Sequence, residues 1–247
     1  YHRLADIYNS DPTVLGPPME RLLIGSYESY KGEPLPGETG KRMMERAPHL
    51  FFGTNDGVLH AFDVWVTGAG DEVESWGFVP NTLLPTIREQ FPIDWELNTD
   101  GAGNYTSYTL TTGGQYQHIF GVDGAPVVAD VRLYRRSTMS AEEEAKLWRG
   151  IVLGSLGRGG RGYYALDVTN PSQEPTFRWE ISPESAANNG GGPPDDVDNG
   201  DPTNPVTFDG MGIPISRPAL AYAYYETVIP GEGSEAAETE VDAGIVL

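Results

Sequence analysis

The chain of 247 residues contains no cysteine, so neither a disulfide frame nor a thiolate metal site is open to it. That absence does not by itself assign a compartment. No apolar run reaches the length of about 18 residues that signals a membrane-spanning helix. Cations are scarce: 16 Lys and Arg stand against 36 Asp and Glu, a formal net charge of −20. Phosphate binding needs clustered Lys and Arg, which argues against nucleic acid as a partner. Acidity of this degree suits calcium binding, a saline habitat or plain solubility, and solubility is the simplest of the three. The opening, YHRLADIYNSDPTV, lacks a charged segment followed by an apolar one, so no signal peptide is visible. The chain also opens without Met and stops on the apolar DAGIVL, and it reads as a piece of a longer protein.

Glycine and proline are abundant, 31 and 20 residues, about a fifth of the chain. Both weaken helix interiors, so short strands and turns are expected. Strands are predicted at 49–53 and 58–64 around the turn TNDG, then at 148–154, 162–168 and 175–182, with one short strand in 1–15 and further strands in ALAYAYYETVI and AGIVL. Residues 94–112 read as a hairpin with a glycine loop, and 117–136 as strand–turn–strand centred on Asp123 and Gly124. A short helix is possible near Asn81, interrupted by Pro85; the convincing one is STMSAEEEAKLW, where Ser140 and Glu143 have capping-box spacing. Residues 16–48 and the acidic stretch 183–210 read as surface loops, and 92–112 as an insertion. The fold class is all-β, with one or two short helices, and strand count alone leaves sandwich and barrel open.

A repeated unit decides between them. GTNDGVLHAFD (53–63) and GSLGRGGRGYYALD (154–167) share an apolar run ending in Gly, a glycine-rich turn and a strand reading Ala-x-Asp. Each is followed by a Trp with a neighbouring Glu, in EVESWGF and FRWEI. Gly57 and Gly162 serve the reversals, while the small Ala61 and Ala165 let a neighbouring sheet approach. Asp63 and Asp167 end their strands, where a carboxylate can accept N–H bonds from the next turn. Trp76 and Trp179 are large enough to fill the gap between adjacent sheets. On sequence alone the two indoles are equivalent, each worth about 3–5 kcal/mol on truncation to alanine. This pattern is that of propeller blades stapled to one another. Blades usually repeat every 40–50 residues or so. The spacing here is about twice that, so an insertion or an unrecognised blade is expected between the copies.

In order along the chain, LADIYNSDPTVLGPP, LFFGTNDGVLHAFD, WGFVPNTLLP, HIFGVDGAPVVADV, WRGIVLGSLGRGGRGYYALDVTNP and MGIPISRPALA resemble the C-terminal propeller domain of PilY-type proteins, the type IV pilus tip adhesins and biogenesis factors. The likeness covers most of 4–220 and leaves out 92–112, 183–207 and the tail after 225. It implies one quinoprotein-like propeller domain, of which residues 1–247 hold the first half or so. It also implies an exported, non-enzymatic protein at the pilus tip, cell surface or outer membrane, active in pilus extension and twitching motility. Its partners would be minor pilins or the tip complex and a host or abiotic surface. Calcium regulation through an Asp-rich loop is implied too, but that loop belongs beyond Leu247. No organic cofactor is expected.

Several motifs invite sharper readings. DDVDNGD offers Asp196, Asp198 and Asp201 as carboxylates for a hard cation, but it lacks an oxygen ligand at Gly200 and a closing bidentate acid. GRGGRG (157–162) contains the Gly-x-Gly-x-x-Gly of dinucleotide sites, yet a strand follows where a helix is needed, so a roomy turn is the better reading. Arg158 and Arg161 on that turn could grip an anion. His2, His49, His60 and His118 show no ligand spacing, and His60 is expected to be a packing residue. Ser155 lacks the frame of a nucleophile elbow. Asn104 heads a glycosylation frame of little meaning here. The rival function is a pyrroloquinoline-quinone-dependent dehydrogenase, whose propeller uses the same staples but needs an axial carboxylate and calcium; a plain scaffold is a third reading.

Overall fold

The computed structural model describes residues 4–19, 25–65, 74–90, 94–111, 118–135, 139–183, 210–229 and 238–246. The first sheet is an antiparallel meander of β1 (Thr13–Leu15), β2 (His49–Gly53), β3 (Leu59–Asp63) and β4 (Glu74–Phe78), adjacent in that order. A hairpin of β5 (Asp94–Thr99) and β6 (Tyr105–Thr111) follows. Asp100 shapes its tip by accepting the N–H groups of Ala102 and Asn104, each at 2.9 Å. Next come β7 (Val127–Arg132), β8 (Tyr134–Arg135), β9 (Trp148–Ser155), β10 (Tyr163–Asp167) and β11 (Thr176–Ile181). Four of these form the second sheet, in the order β7-β9-β10-β11. The last strands, β12 (Ala221–Ile229) and β13 (Glu238–Val246), pair with each other, and β13 also pairs with β8.

The two four-stranded sheets match strand for strand, down to an irregularity. Ala61 on β3 lies opposite Trp76 on β4, and the register slips immediately after Ala61. Ala165 on β10 lies opposite Trp179 on β11, and the register slips immediately after Ala165. An identical bulge beside an identical Ala–Trp pair marks the sheets as two copies of one blade. The copies are direct neighbours. Phe51, Leu59 and Trp76 of the first sheet, with Leu83 of the helical turn after it, share one buried core with Val152, Tyr164 and Leu166 of the second. The sheets do not close on themselves, as expected of part of a propeller. Of the insertion or unrecognised blade allowed for between them, the described residues show no further blade; they hold the β5–β6 hairpin and the second blade's own first strand.

Three short helices are described, one more than the sequence suggested: α1 (Gly25–Lys31), α2 (Leu84–Gln90) and α3 (Ala141–Ala145). The expected surface loop 16–48 is corrected by α1. Tyr27 and Tyr30, three residues apart on one face, bury with Leu35, Met43, Ala145 and Trp148 in a second core. The indole N–H of Trp148 donates to Ser26 at 3.2 Å. The motif GSYESYK conceals this because its buried residues are tyrosines and a serine rather than aliphatics. Pro85 does not interrupt a helix; it sits in the first turn of α2, where its missing N–H has no intrahelical partner to lose. Ser140 and Glu143 form the expected capping box, but α3 ends at Ala145 because Trp148 already begins β9. In 117–136, residues 118–126 form no strand, and the apolar run after Gly124 is β7.

Candidate functional site

The described polar chemistry concentrates at the junction of the two blades. Its centre is Arg46, fully buried at 0% exposure. Its guanidinium meets Asp130 of β7 in a fork, Nη1 to Oδ1 at 2.8 Å and Nη2 to Oδ2 at 2.9 Å. Nε donates to the Gly16 carbonyl at 2.8 Å, and Nη1 reaches the Tyr30 hydroxyl and the Thr169 carbonyl, both at 3.4 Å. The hydroxyls of Tyr27 and Tyr30 donate to Asp130 at 3.3 and 3.1 Å. Burial works against the Arg46 charge, but the hydrogen bonds and field of Asp130 prevail and hold its pKa above the usual arginine value. Burial, then the neighbouring Asp130 charge, pushes the Tyr30 phenol well up, so it stays a donor. Gly150 on β9 makes room: a Cβ there would lie 2.9 Å from Leu15 and 3.1 Å from Arg46 Nη1.

A second lock crosses the junction at the outer strands. Glu180 on β11 is buried, yet its carboxylate accepts the N–H groups of Asn81 at 2.9 Å and Thr82 at 2.7 Å, and the Thr82 hydroxyl. One blade thus supplies the cap for a helical turn leading out of the other. Beside it, Tyr164 is sealed in the core with its ring 5.3 Å from that of Phe78. Burial and the Glu180 charge push the Tyr164 phenol pKa far up.

The strand-connecting turns of both blades are joined through residues 121–124. Val122 N–H donates to Thr54 at 3.0 Å and Asp123 N–H to Leu156 at 3.2 Å. Gly57 and Gly157 take φ values of +92° and +57°. A Cβ on Gly159 would fall 1.7 Å from the Gly121 carbonyl oxygen. The turn of GRGGRG is therefore tightly filled by another backbone segment, not roomy. Its glycines answer a steric demand unrelated to phosphate.

Of the eight residues singled out in the repeat, the Ala–Trp pairs and the strand-ending acids Asp63 and Asp167 take matching positions, while Gly57 has positive φ and Gly162 does not. Trp76 is 8% exposed, packs 5.8 Å from the Phe51 ring and donates its indole N–H across the junction to the Pro171 carbonyl at 2.9 Å. Trp179 is only half-buried. It alternates with Glu180, which faces the first blade, so the indole lies on the opposite side of its sheet. Asp63 accepts the Trp65 N–H at 2.7 Å, and Asp167 the Thr169 N–H at 3.0 Å. Gly162 hands its carbonyl to Leu156 N–H at 3.0 Å and lies under the Leu156 side chain.

Asp196, Asp198, Asp201 and His2 lie outside the described residues. Among those described, no group of three His, Asp or Glu is placed to hold a metal ion. His60 joins Glu74 at 2.5 Å through Nδ1 and Thr54 at 3.0 Å through Nε2, beside the stacked rings of Phe52 and Phe62. His118 touches Asp6 at the surface. Ser155 is buried beside Gly124. The residues that sequence reading passed over are Arg46, Asp130, Gly150 and Glu180. An acid inside the apolar VVADV, a glycine inside WRGIVLG and the Glu after Trp179 were the available signals.

A family model described as the PilY1 beta-propeller domain matches residues 4–200. The chain belongs to the PilY1 β-propeller family. Proteins named type IV pilus biogenesis factor PilY1, or its homologue, are similar to it. One from Xylella fastidiosa is 32% identical over 170 residues, which is 68% of this chain and 11% of the relative. One from Pseudomonas aeruginosa is 30% identical over 182 residues, 72% of this chain and 12% of the relative. The crystal structure of the Pseudomonas aeruginosa PilY1 C-terminal domain is 29% identical, with a TM-score of 0.33 over 57% of this chain and 20% of its own. The chain thus spans about an eighth of the length of these curated PilY1 relatives. The resemblance read from the motifs is borne out, as is the partial propeller.

The unequal burial of the two indoles separates what sequence alone made equal. In urea unfolding of the chain, Trp76→Ala should cost about 3–5 kcal/mol. Trp179→Ala should cost only about 1–2 kcal/mol, in keeping with partial burial. Equal losses would contradict the assignment of sheet faces.

His49 gives a pH test. Fully buried, it sits 3.2 Å from the Ala47 carbonyl through Nδ1 and 2.8 Å from the Ser75 hydroxyl through Nε2, an arrangement that fits the neutral ring with its proton on Nδ1. Burial lowers its pKa below the ordinary 6.5, partly opposed by the Ala47 carbonyl. Below that ordinary value the unfolded chain binds a proton that the folded chain resists, so stability falls as pH drops. Between about pH 7.5 and about pH 5.5 the urea midpoint should fall, and less so in His49→Gln. An equal fall in both would refute it.

Proposed function

We propose that this chain is the propeller portion of an exported type IV pilus biogenesis factor, acting by recognition rather than catalysis. The observation that carries the reading is the family match over 4–200, joined to relatives that bear that name. The use of the buried charges supports it further. Arg46, Asp130 and Glu180 are committed to tying one blade to the other, and Asp167 to its own turn and to Arg149 and Arg178. Rigid blades then carry surface loops, where binding residues usually reside. On this reading the partners are minor pilins or the pilus tip complex on one side and a host or abiotic surface on the other. The location is the pilus tip, cell surface or outer membrane. Twitching motility would follow from pilus extension, and calcium would act through an acidic loop.

Deleting the codons for residues 4–200 in the native gene is the test. Pilin in the sheared surface fraction should fall to background while total cellular pilin persists, and the intact gene should restore it. Unchanged surface pilin would overturn the reading. Clear alcohol-dependent dye reduction by the purified chain with pyrroloquinoline quinone and calcium would instead favour the dehydrogenase.

A further inference from the structure

Arginines in so acidic a chain find carboxylates easily. Arg46, Arg132, Arg149, Arg178 and Arg217 each pair with an Asp or Glu. Arg158 does not pair so among the described residues. Its exposed guanidinium lies against two rings, with Cζ 5.6 Å from the centre of Tyr8 and 5.4 Å from that of Phe120. The rings meet edge to face, 5.8 Å apart at 63°, and Tyr8 is 63% exposed. The nearby acid is turned elsewhere: Asp123, 2% exposed, accepts two N–H groups of Asn9 at 3.2 and 2.7 Å and the backbone N–H of Arg158 at 3.4 Å. Three chain segments therefore converge on this spot, and the tightly filled glycine turn fixes the backbone that carries Arg158.

We propose that Arg158, Tyr8 and Phe120 form a binding site for a single carboxylate carried on a small ring-bearing or apolar body. A guanidinium attracted to two aromatic rings still has N–H groups to offer, and its fork matches the two oxygens of a carboxylate. Contact with the two rings restrains the long side chain before a ligand arrives, which lowers the entropy lost on binding. The two rings offer contact to the body of the ligand. The net charge of −20 repels polyanions, so the ligand is a lone acid rather than a nucleic acid or a sulfated polymer. This inference does not depend on the pilus reading.

The test uses the purified 247-residue chain, with benzoate as probe and benzamide as its uncharged counterpart, followed by saturation-transfer NMR at constant ionic strength. Benzoate should give a saturable signal that benzamide lacks. Arg158→Gln should weaken benzoate binding by about tenfold or more, and Arg158→Lys, which keeps the charge but loses the fork, by less. Tyr8→Ala alters an exposed ring and should weaken binding with the thermal melt unchanged, which keeps the test open should the Arg158 variants unfold. Equal signals from benzoate and benzamide, or benzoate binding untouched in Arg158→Gln and Tyr8→Ala, would overturn the proposal. Glucuronate and the α-amide of N-acetylglutamate, each with one carboxylate and each competed against bound benzoate, distinguish an acidic sugar from an acidic side chain as the natural source.

Discussion

A guanidinium shut away from water is tolerable only where its N–H groups find oxygens and its charge finds an opposite one. Arg46 meets that demand by drawing together parts of the chain that are far apart in sequence. Gly16 follows β1 of the first blade, Asp130 lies on the first strand of the second, Tyr30 belongs to α1, and Thr169 follows β10. If any of these moved, a buried charge would be stranded. The pair is therefore better understood as fixing one arrangement of the blades than as adding net stability, since an apolar replacement of both partners could be equally stable. The extra core around Trp148 and α1 depends on the same node through Tyr27 and Tyr30.

The blade repeat was legible because its constraints are local. The Ala-x-Asp strand ending, the glycine turn and the later Trp are set by turn geometry and by pairing within one sheet, and both copies carry them. The joint between blades was not legible, because it is made by residues distant in sequence whose types have commonplace uses. Arg46 could equally have been a solvated surface residue, and Asp130 within VVADV could have ended a strand. Segment 16–48 misled for a related reason: tyrosines that bury their rings while offering hydroxyls to Asp130 read as polar in composition. GRGGRG was correctly separated from nucleotide sites by the strand that follows it. The reason for its glycines, the backbone of Gly121 pressed against Gly159, lies outside the motif altogether.

Family membership and geometry answer different questions about this chain. The first associates it with proteins named for pilus biogenesis, although it spans about an eighth of their length. The second describes a joint in which buried charges serve construction, with a cation against two aromatic rings on the turns at its surface. The recognition role proposed for this chain would need that division, because loops can discriminate among partners only if the blades beneath them hold still.

The claim that Arg46 and Asp130 fix the joint is tested most directly by a double-mutant cycle with Arg46→Met and Asp130→Leu in urea unfolding. Each single change should cost about 3–5 kcal/mol, because it strands the other charge. The double variant should lose far less than the sum, with a coupling of at least about 2 kcal/mol. Single losses below about 1 kcal/mol, or losses that simply add, would contradict the account.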